Sequence, residues 1–353
     1  MRFRNALVAA GFASFRATRI HRLARSATQG RGVILALHRV RPSRVGFAPN
    51  RGLEITPAFF ETALGAVAGA GLDFVTLDEA RRRLLEGDGR RFAALTFDDG
   101  YRDTLDIALP ILERHDAPFA VYCVPGFVQG RARLWWLEIE EAIRRLDAIE
   151  VAGKRVSTRT VGEKESAFTH LYWRLRALPE ETLLTAIADL SSQAHVRSED
   201  LYDRLFMDWG DIRRLARHPL ATIGAHGMTH RRLAHCSATV AREEMAGSRA
   251  TLASQLDVEV RHFAYPVGDE SSAGPRDFAI ANDLGFATAV TTRPGMIFDA
   301  HAGHLTALPR LSINGGWQSK SAVEILLSGA PFWLWNRGQL APKLRASVGH
   351  QFA

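Results

Sequence analysis

Short apolar runs alternate with helical patterns from residue 33 to residue 124, and this alternation limits the possible folds more than any other feature of the sequence. The runs are as short as strands that are buried on both faces. Thr56 is a suitable N-cap for one of the helices, with Pro57 at its first position. The order predicts an α/β fold with parallel strands and helices outside them. Predicted strands are 33–37, 74–77, 92–97, 119–124, 221–225, 261–265 and 287–291, and predicted helices include 56–70, 78–86 and 104–115.

Three segments depart from this alternation. Residues 1–32 predict a basic N-terminal helical segment that precedes the α/β domain of residues 33–320. Within that domain, residues 130–204 are charged and helical in pattern, and we interpret them as an insertion at one loop. Residues 321–353 form a C-terminal tail with the aromatic cluster 332–335, which is more typical of packing than of ligand binding.

Composition indicates a soluble globular protein with a basic surface. Of the 353 residues, 46% are hydrophobic and 24% are charged, so the chain can bury a full core. The formal charge is +7, and most of the cations are Arg. An anionic polymer or a membrane face could use such a surface. We expect no nucleic-acid partner, because no recognition motif is present and the Arg residues are dispersed.

The cysteines and the N-terminus bear on location. Cys123 and Cys236 are too few for a disulfide framework and form no C-x-x-C motif, which favours reduced thiols. No run approaches the ~20 apolar residues of a membrane span, and no convincing signal-peptide cleavage site follows the first apolar run. We therefore expect a cytoplasmic protein, or one bound peripherally to the inner membrane through its basic N-terminal helix.

The segment Thr96–Tyr101 places two adjacent carboxylates, Asp98 and Asp99, at the end of a predicted strand. Like charges so close raise each other's pKa, and a metal cation would remove that repulsion. Successive side chains of a strand point to opposite faces, so both acids can share one mouth only if the chain kinks there. Gly100 allows such a kink. Asp-Asp-Gly is also ordinary turn chemistry, so this motif alone leaves both interpretations open.

A second motif, Gly224–His230, carries His226 and His230 four residues apart. On a helical turn this spacing places two imidazoles on one face, where they can bind one ion. No Glu follows His226, so the H-E-x-x-H pattern of zinc proteases is absent and Asp98 is the available base. Asp99 with the two histidines is a plausible ligand set for a catalytic metal that keeps positions open for water and substrate.

Together with the turn Tyr265–Gly268, these motifs resemble the polysaccharide deacetylase family of carbohydrate esterases. Thr96–Gly100 matches the family's T-F-D-D-G motif, and the histidine pair matches its H-x-x-x-H motif. The resemblance implies a distorted (β/α) barrel of about seven parallel strands that removes N-acetyl groups from an oligo- or polysaccharide containing N-acetylglucosamine. It implies that Asp98 is the general base and that Asp99, His226 and His230 bind one divalent metal, zinc or a similar ion. The backbone N–H of Val267 would stabilise the oxyanion together with the metal.

The sequence also departs from the family pattern. Many members carry an Arg where this chain has Ala264, and Arg310 is our candidate for the missing charge. The late Leu-x-x-His motif that supplies the general acid is not evident. His38 resembles the acid of a family branch that includes bacterial poly-N-acetylglucosamine deacetylases, with Leu37 in place of the usual Tyr. His301 and His304 are the alternative acids.

Two other functions remain open from the sequence. A barrel of this kind could remove a formyl or another acyl group from a lipid-linked sugar, which the basic N-terminus and the aromatic tail would suit. It could also be a non-catalytic carbohydrate-binding relic of the fold. The presence of Asp98, Asp99, His226 and His230 together argues against a relic.

Overall fold

The computed structural model of the protein describes residues 2–151 and 154–335. Its strands are β1 Gly32–Leu37, β2 Arg39–Val40, β3 Glu54–Ile55, β4 Asp73–Phe74, β5 Phe92–Phe97, β6 Phe119–Cys123, β7 Ala148–Val151, β8 Lys154–Ser157, β9 Ala221–Ala225, β10 His262–Ala264, β11 Thr288–Pro294 and β12 Leu308–Ser312. Its helices are α1 Arg2–Thr18, α2 Ile20–Thr28, α3 Pro57–Gly69, α4 Leu77–Glu86, α5 Leu109–Arg114, α6 Pro125–Val128, α7 Trp135–Arg145, α8 Val161–Arg176, α9 Glu180–Gln193, α10 Ser198–Leu205, α11 Trp209–Ala216, α12 Ala238–Leu256, α13 Pro275–Asp283, α14 Lys320–Leu327 and α15 Ala330–Trp335.

Seven parallel strands close into a barrel. Around it, β1 is followed by β12, β11, β10, β9, β6 and β5, and β5 pairs again with β1. The short strand β4 lies beside the beginning of β5. A register shift between Val290 and Pro294 distorts the pairing of β11 with β12. The structure confirms the predicted distorted (β/α) barrel of parallel strands.

Buried apolar side chains explain why these segments become strands. Every residue of β1, β5 and β6 is buried, as expected for parallel strands covered on both faces. The prediction of 92–97 and 221–225 matches β5 and β9 at both ends. Strand β12 was not predicted, since Pro309 and Arg310 interrupt its apolar pattern.

Helices pack on the outside of the barrel as predicted. Helix α3 begins at Pro57, and the Thr56 side chain accepts a hydrogen bond from the backbone N–H of Phe59, which is the predicted N-cap. The predicted helix 104–115 consists of a π-helical turn, Thr104–Ala108, followed by α5. Helix α14 lies at the beginning of the segment that we predicted as a tail, and it packs against α3.

Residues 130–204 form a second hydrophobic cluster of their own. Helices α7, α8, α9 and α10 supply most of it, and a β7–β8 hairpin that was not predicted joins α7 to α8. The cluster meets the barrel through Tyr101 and Phe127, which follow β5 and β6. Phe127 packs against Trp136 of α7, with ring centroids 6.1 Å apart. The insertion is thereby fixed to the end of the barrel where the strands finish.

The N-terminal segment forms two helices, α1 and α2, separated by Arg19 in the left-handed conformation. No helix among residues 2–151 and 154–335 is long and apolar enough to cross a membrane. Of the aromatic cluster 332–335, Phe332 is buried and Trp333 is partly exposed. The rest of the predicted tail, residues 336–353, lies outside the described residues.

Candidate active site

The carboxyl ends of four barrel strands bring the predicted site residues together. His38 follows β1, Asp98 and Asp99 follow β5, His226 follows β9, and Val267 lies in the turn after β10. The same edge of a parallel barrel is where catalytic residues are found in other (β/α) barrels. The loops after these strands therefore decide how the side chains are placed.

The chain kinks after β5 as the sequence predicted. Asp99 has φ 73° and Gly100 has φ 77°, so both adopt the left-handed conformation that Gly and Asp tolerate best. The backbone N–H of Asp98 still donates to the carbonyl of Leu37, which keeps Asp98 in the strand pattern. With this kink, the two carboxylates meet different partners at the same end of the barrel.

Asp98 meets Arg310, which lies on β12 across the barrel interior. The guanidinium donates two hydrogen bonds of 2.7 Å, one to each carboxylate oxygen. It also donates to the Thr96 hydroxyl at 3.0 Å and to the Thr291 carbonyl at 2.9 Å. Asp98 and Arg310 are 2% and 1% exposed, so this is a buried bidentate ion pair. The structure thus pairs Arg310, our candidate for the missing family Arg, with Asp98.

The ion pair determines the charge of Asp98. Burial by itself would favour the neutral acid, but the charge and the hydrogen bonds of Arg310 outweigh it and lower the pKa of Asp98. Asp98 is therefore an ionised carboxylate at neutral pH, as a general base has to be. Arg310 in turn is held charged by Asp98, which raises its pKa despite burial.

Asp99, His226 and His230 form a compact, buried group of potential metal ligands. The Asp99 Oδ1 atom lies 3.4 Å from His226 Nε2 and 3.3 Å from His230 Nε2. One ligand atom from each residue lies within 4.8 Å of the others. All three residues are at least nine-tenths buried. The predicted ligand set is thus brought together at one point.

The expectation that the histidine pair lies on a helical turn is wrong. Residues 226–231 form a loop in which Gly227 has φ 76° and His230 has φ 61°. A residue with a Cβ would be strained at the Gly227 position by its positive φ, and that Cβ would lie in tight contact, 3.3 Å, with Glu244 and with Pro266. Glu244 fixes the loop by accepting from the Thr229 backbone N–H at 2.8 Å and from its hydroxyl at 2.6 Å.

The hydrogen bonds of this group fit a divalent metal. His226 Nδ1 lies 2.7 Å from the Ala264 carbonyl, so it carries the proton and leaves the Nε2 lone pair free. Buried Asp99 Oδ1 has no hydrogen-bond partner in the described part of the chain. A carboxylate oxygen with two imidazole nitrogens is a set that zinc prefers, and it leaves positions open for water and substrate. The chemistry of these donors thus suits the expected metal.

Aromatic rings surround the metal-ligand loop on the side of the insertion. The His230 ring lies 5.0 Å from the ring of Trp136 and 5.6 Å from that of Phe127. Trp136 donates from Nε1 to the Tyr101 hydroxyl at 3.4 Å. These residues were not among the predicted site residues. The insertion therefore forms a wall of the site.

His38 stands on the other side of Asp98. Its Nε2 lies 3.9 Å from Asp98 Oδ2, and its side chain is 22% exposed, whereas that of Asp98 is 2% exposed. Burial lowers the pKa of His38, although Asp98 and Asp99 oppose this effect. His38 can therefore contact both the base and a substrate that approaches from solvent.

The alternative acids lie elsewhere. His301 and His304 belong to the loop between β11 and β12, which enters β12 at the opposite end of the barrel from Asp98. His301 Nδ1 contacts the Phe298 backbone instead of any predicted site residue. Geometry thus brings His38, and neither of the late histidines, to the candidate site.

Val267 adopts an unusual backbone conformation in the turn after β10. Its φ is 62°, which a β-branched residue takes only under strain. The turn is tight, since the Gly268 N–H donates to the Pro266 carbonyl at 2.7 Å and Thr292 donates its hydroxyl to the Val267 carbonyl at 2.8 Å. Strain of this kind clusters at functional sites, where the surrounding structure maintains it.

Comparison with known proteins identifies the family of the chain. The family model described as polysaccharide deacetylase matches residues 86–289, which is more than half of the chain. The chain belongs to the polysaccharide deacetylase family. The match contains the strand-end acids, the histidine pair and the turn at Val267, whereas His38 and Arg310 lie outside it. No curated protein matches the chain by sequence.

Solved structures of deacetylases share the fold of this family member. Streptococcus pyogenes deacetylase PplD, solved in complex with acetate, has a TM-score of 0.53 at 18% identity, over 80% of this chain and 92% of that one. IcaB from Ammonifex degensii has a TM-score of 0.52 at 19% identity, over 84% and 97%. A de-N-acetylase from Aggregatibacter actinomycetemcomitans has a TM-score of 0.50 at 12% identity, over 83% and 99%. At these identities the likeness establishes the barrel architecture.

Proposed function

We propose that the protein hydrolyses N-acetyl groups on an oligo- or polysaccharide that contains N-acetylglucosamine, with one divalent metal, zinc, as cofactor. One observation carries this proposal: a carboxylate held ionised by Arg310 adjoins a buried cluster of Asp99, His226 and His230. Membership of the deacetylase family and the fold of PplD and IcaB support it.

Asp99, His226 and His230 would hold the metal. A divalent ion there would lower the pKa of a coordinated water and polarise the carbonyl of the acetamide. His226 is oriented for this role by its hydrogen bond to Ala264, and His230 by the packing of Trp136 and Phe127.

Asp98 acts as the base in this proposal. Its carboxylate is ionised and fixed by two hydrogen bonds from Arg310, so it can take a proton from the attacking water. Arg310 touches Asp98 and no open solvent, and it is therefore a positioning residue. It keeps the base charged and prevents its rotation.

His38 acts as the acid. It is the partly exposed titratable group beside Asp98, at a distance of 3.9 Å, and it can deliver a proton to the departing amine. The Val267 backbone N–H would donate a hydrogen bond to the oxyanion in this proposal, since Val267 lies in the turn that follows β10 at the carboxyl end of the barrel. Each step thus has a residue of this chain assigned to it.

The test is acetate release from N-acetylglucosamine oligomers, measured with and without a chelator. We expect activity to disappear on chelation and to return with zinc, and metal analysis should find one ion per chain. Asp99→Ala should lose both the metal and the activity, whereas Asp106→Ala, at a solvent-exposed position, should lose neither. Chelator-resistant activity would rule out the metal mechanism. Faster release of formate from N-formyl sugars than of acetate would instead favour the lipid-linked or deformylase alternative.

A further inference from the structure

Helix α2 has its apolar side facing outward. Ile20 and Leu23 are 55% and 83% exposed, while His21 and Thr28 on the opposite side are buried. Helices of water-soluble proteins normally bury their apolar stripe and expose their polar one. The orientation of α2 is therefore the reverse of what water alone would favour.

Specific hydrogen bonds hold α2 in this orientation. His21 Nδ1 lies 3.0 Å from the Phe15 carbonyl, and the Thr28 hydroxyl donates to the Ser328 carbonyl at 2.6 Å. Arg25 donates to the Ala70 carbonyl at 2.6 Å. If α2 rotated to bury Leu23, these buried polar groups would lose their partners. These hydrogen bonds therefore fix the orientation in which the apolar face of α2 points outward.

The neighbouring helix α15 also exposes apolar side chains. Helix α15 packs against α2, and its Trp333 and Leu334 are 42% and 58% exposed. We call the four residues Ile20, Leu23, Trp333 and Leu334 the α2–α15 surface. Clustered exposed apolar side chains mark a binding surface, whereas single ones do not.

The charge around the α2–α15 surface selects its partner. Residues 1–53 contain no Asp or Glu, whereas Arg recurs throughout them. Arg16, Arg19 and Arg22 are exposed beside the apolar face, and none of them forms an ion pair with another described residue. A second copy of the chain would bring the same arginines against each other and would be repelled. An anionic partner with an apolar interior satisfies both features.

We propose that the α2–α15 surface docks peripherally on a bilayer that contains anionic phospholipid. Ile20, Leu23 and Leu334 would enter the boundary between headgroups and acyl chains, and Trp333 would lie at the headgroup level. The arginines would contact the lipid phosphates. Such docking needs both signals, because either one alone gives weak, reversible binding.

The experiment is co-sedimentation of the full chain with vesicles of equal parts phosphatidylglycerol and phosphatidylcholine. We expect binding to these vesicles, at least tenfold weaker binding to pure phosphatidylcholine, and release at high salt. The double substitution Ile20→Ser and Leu23→Ser should weaken binding at least tenfold. Val45→Ser is the matched control, since Val45 is 99% exposed and lies outside this surface; it should bind as the unmodified chain does.

Measurements of stability and of activity show whether these variants are otherwise intact. None of the substituted residues touches Asp98, Asp99 or the histidine pair, so acetate release in solution and the unfolding temperature should stay unchanged. Vesicle binding that the double variant retains would overturn the proposal. Absence of binding by the unmodified chain, or a dimer that the double variant dissociates, would overturn it as well.

Discussion

Replacement of Arg310 tests the central ion pair most directly. Arg310→Met keeps much of the side-chain volume but removes all four hydrogen bonds of the guanidinium. Asp98 would then be a carboxylate buried without a partner, and loss of one member of a buried pair costs about 3–5 kcal/mol. We expect the free energy of unfolding to fall by that amount at neutral pH, as measured by urea denaturation.

The same replacement should change the pH dependence of stability. In the unmodified chain Arg310 holds the pKa of Asp98 below its unfolded value of about 3.9. The ion pair therefore contributes its full stability above that pH and loses it as the pH falls through the folded pKa. The difference in stability between Arg310→Met and the unmodified chain should accordingly shrink as the pH falls, first through the raised pKa of Asp98 in the folded variant and then below about pH 4, where the unmodified chain loses its ion pair.

Activity should respond through the base. Without Arg310, burial raises the pKa of Asp98, so the acid limb of the kcat/KM profile should move toward neutral pH. Arg310→Lys should restore only part of the rate, because an ammonium cannot form two parallel hydrogen bonds to one carboxylate.

Two comparisons make this reasoning refutable. The double variant Asp98→Asn, Arg310→Met removes both charges, so it should regain most of the lost stability while staying inactive. Arg90→Met breaks an ion pair whose Arg side chain is 80% exposed, and it should cost under about 1 kcal/mol. If Arg310→Met costs no more than Arg90→Met, or if the acid limb does not move, the assigned role of Arg310 is wrong.

Three further substitutions or modifications follow from the same geometry. His38→Ala should lower kcat by about 10²–10⁴-fold with metal content unchanged. The control variant His301→Ala, at the other end of the barrel, should not change kcat. Equal effects of the two substitutions on kcat would refute the choice of His38 as the acid. Val267→Gly should raise the free energy of unfolding by about 1 kcal/mol and keep most activity, because it relieves φ 62° and retains the N–H; a loss of stability in urea would contradict the strain. Burial raises the pKa of Cys123 to about 12, so iodoacetamide should label it only after unfolding, which mass spectrometry can follow.

The elements predicted well from sequence are those with uninterrupted apolar runs. Strands β5 and β9 match their predictions because every position of β5 and most positions of β9 are buried in the barrel wall, which favours apolar or small residues. Strand β12 was not predicted because its sequence has no uninterrupted apolar run. Its Arg310 is buried, and its partner Asp98 lies 212 residues away in the chain. Local patterns carry no information on such a pairing.

The candidate site, too, was predicted only in part from the sequence. Asp99, His226 and His230 were predicted as one ligand group, and the structure brings them together. The helical turn predicted for the two histidines is wrong, because Gly227 and Glu244 impose a loop there. The i, i+4 spacing thus predicted proximity correctly from an incorrect local structure. The packing of Trp136 on His230 depends on how the insertion folds back, and no local sequence signal indicates it.

The two adjacent aspartates show how one strand end can supply two different functions. Asp98 keeps the strand conformation and therefore points into the barrel, where β12 supplies Arg310. Asp99 adopts φ 73°, so its carboxylate turns toward the loop after β9 and meets His226 and His230. Arg310 keeps the Asp98 carboxylate charged and still able to accept a proton. The Asp99 Oδ1 atom has no hydrogen-bond partner among the described residues, so it is free to bind a cation. Gly100→Ala should disturb this arrangement, because φ 77° is strained for any residue with a Cβ. We expect that variant to lose metal affinity and base function together; loss of only one would show that the kink does not control both residues.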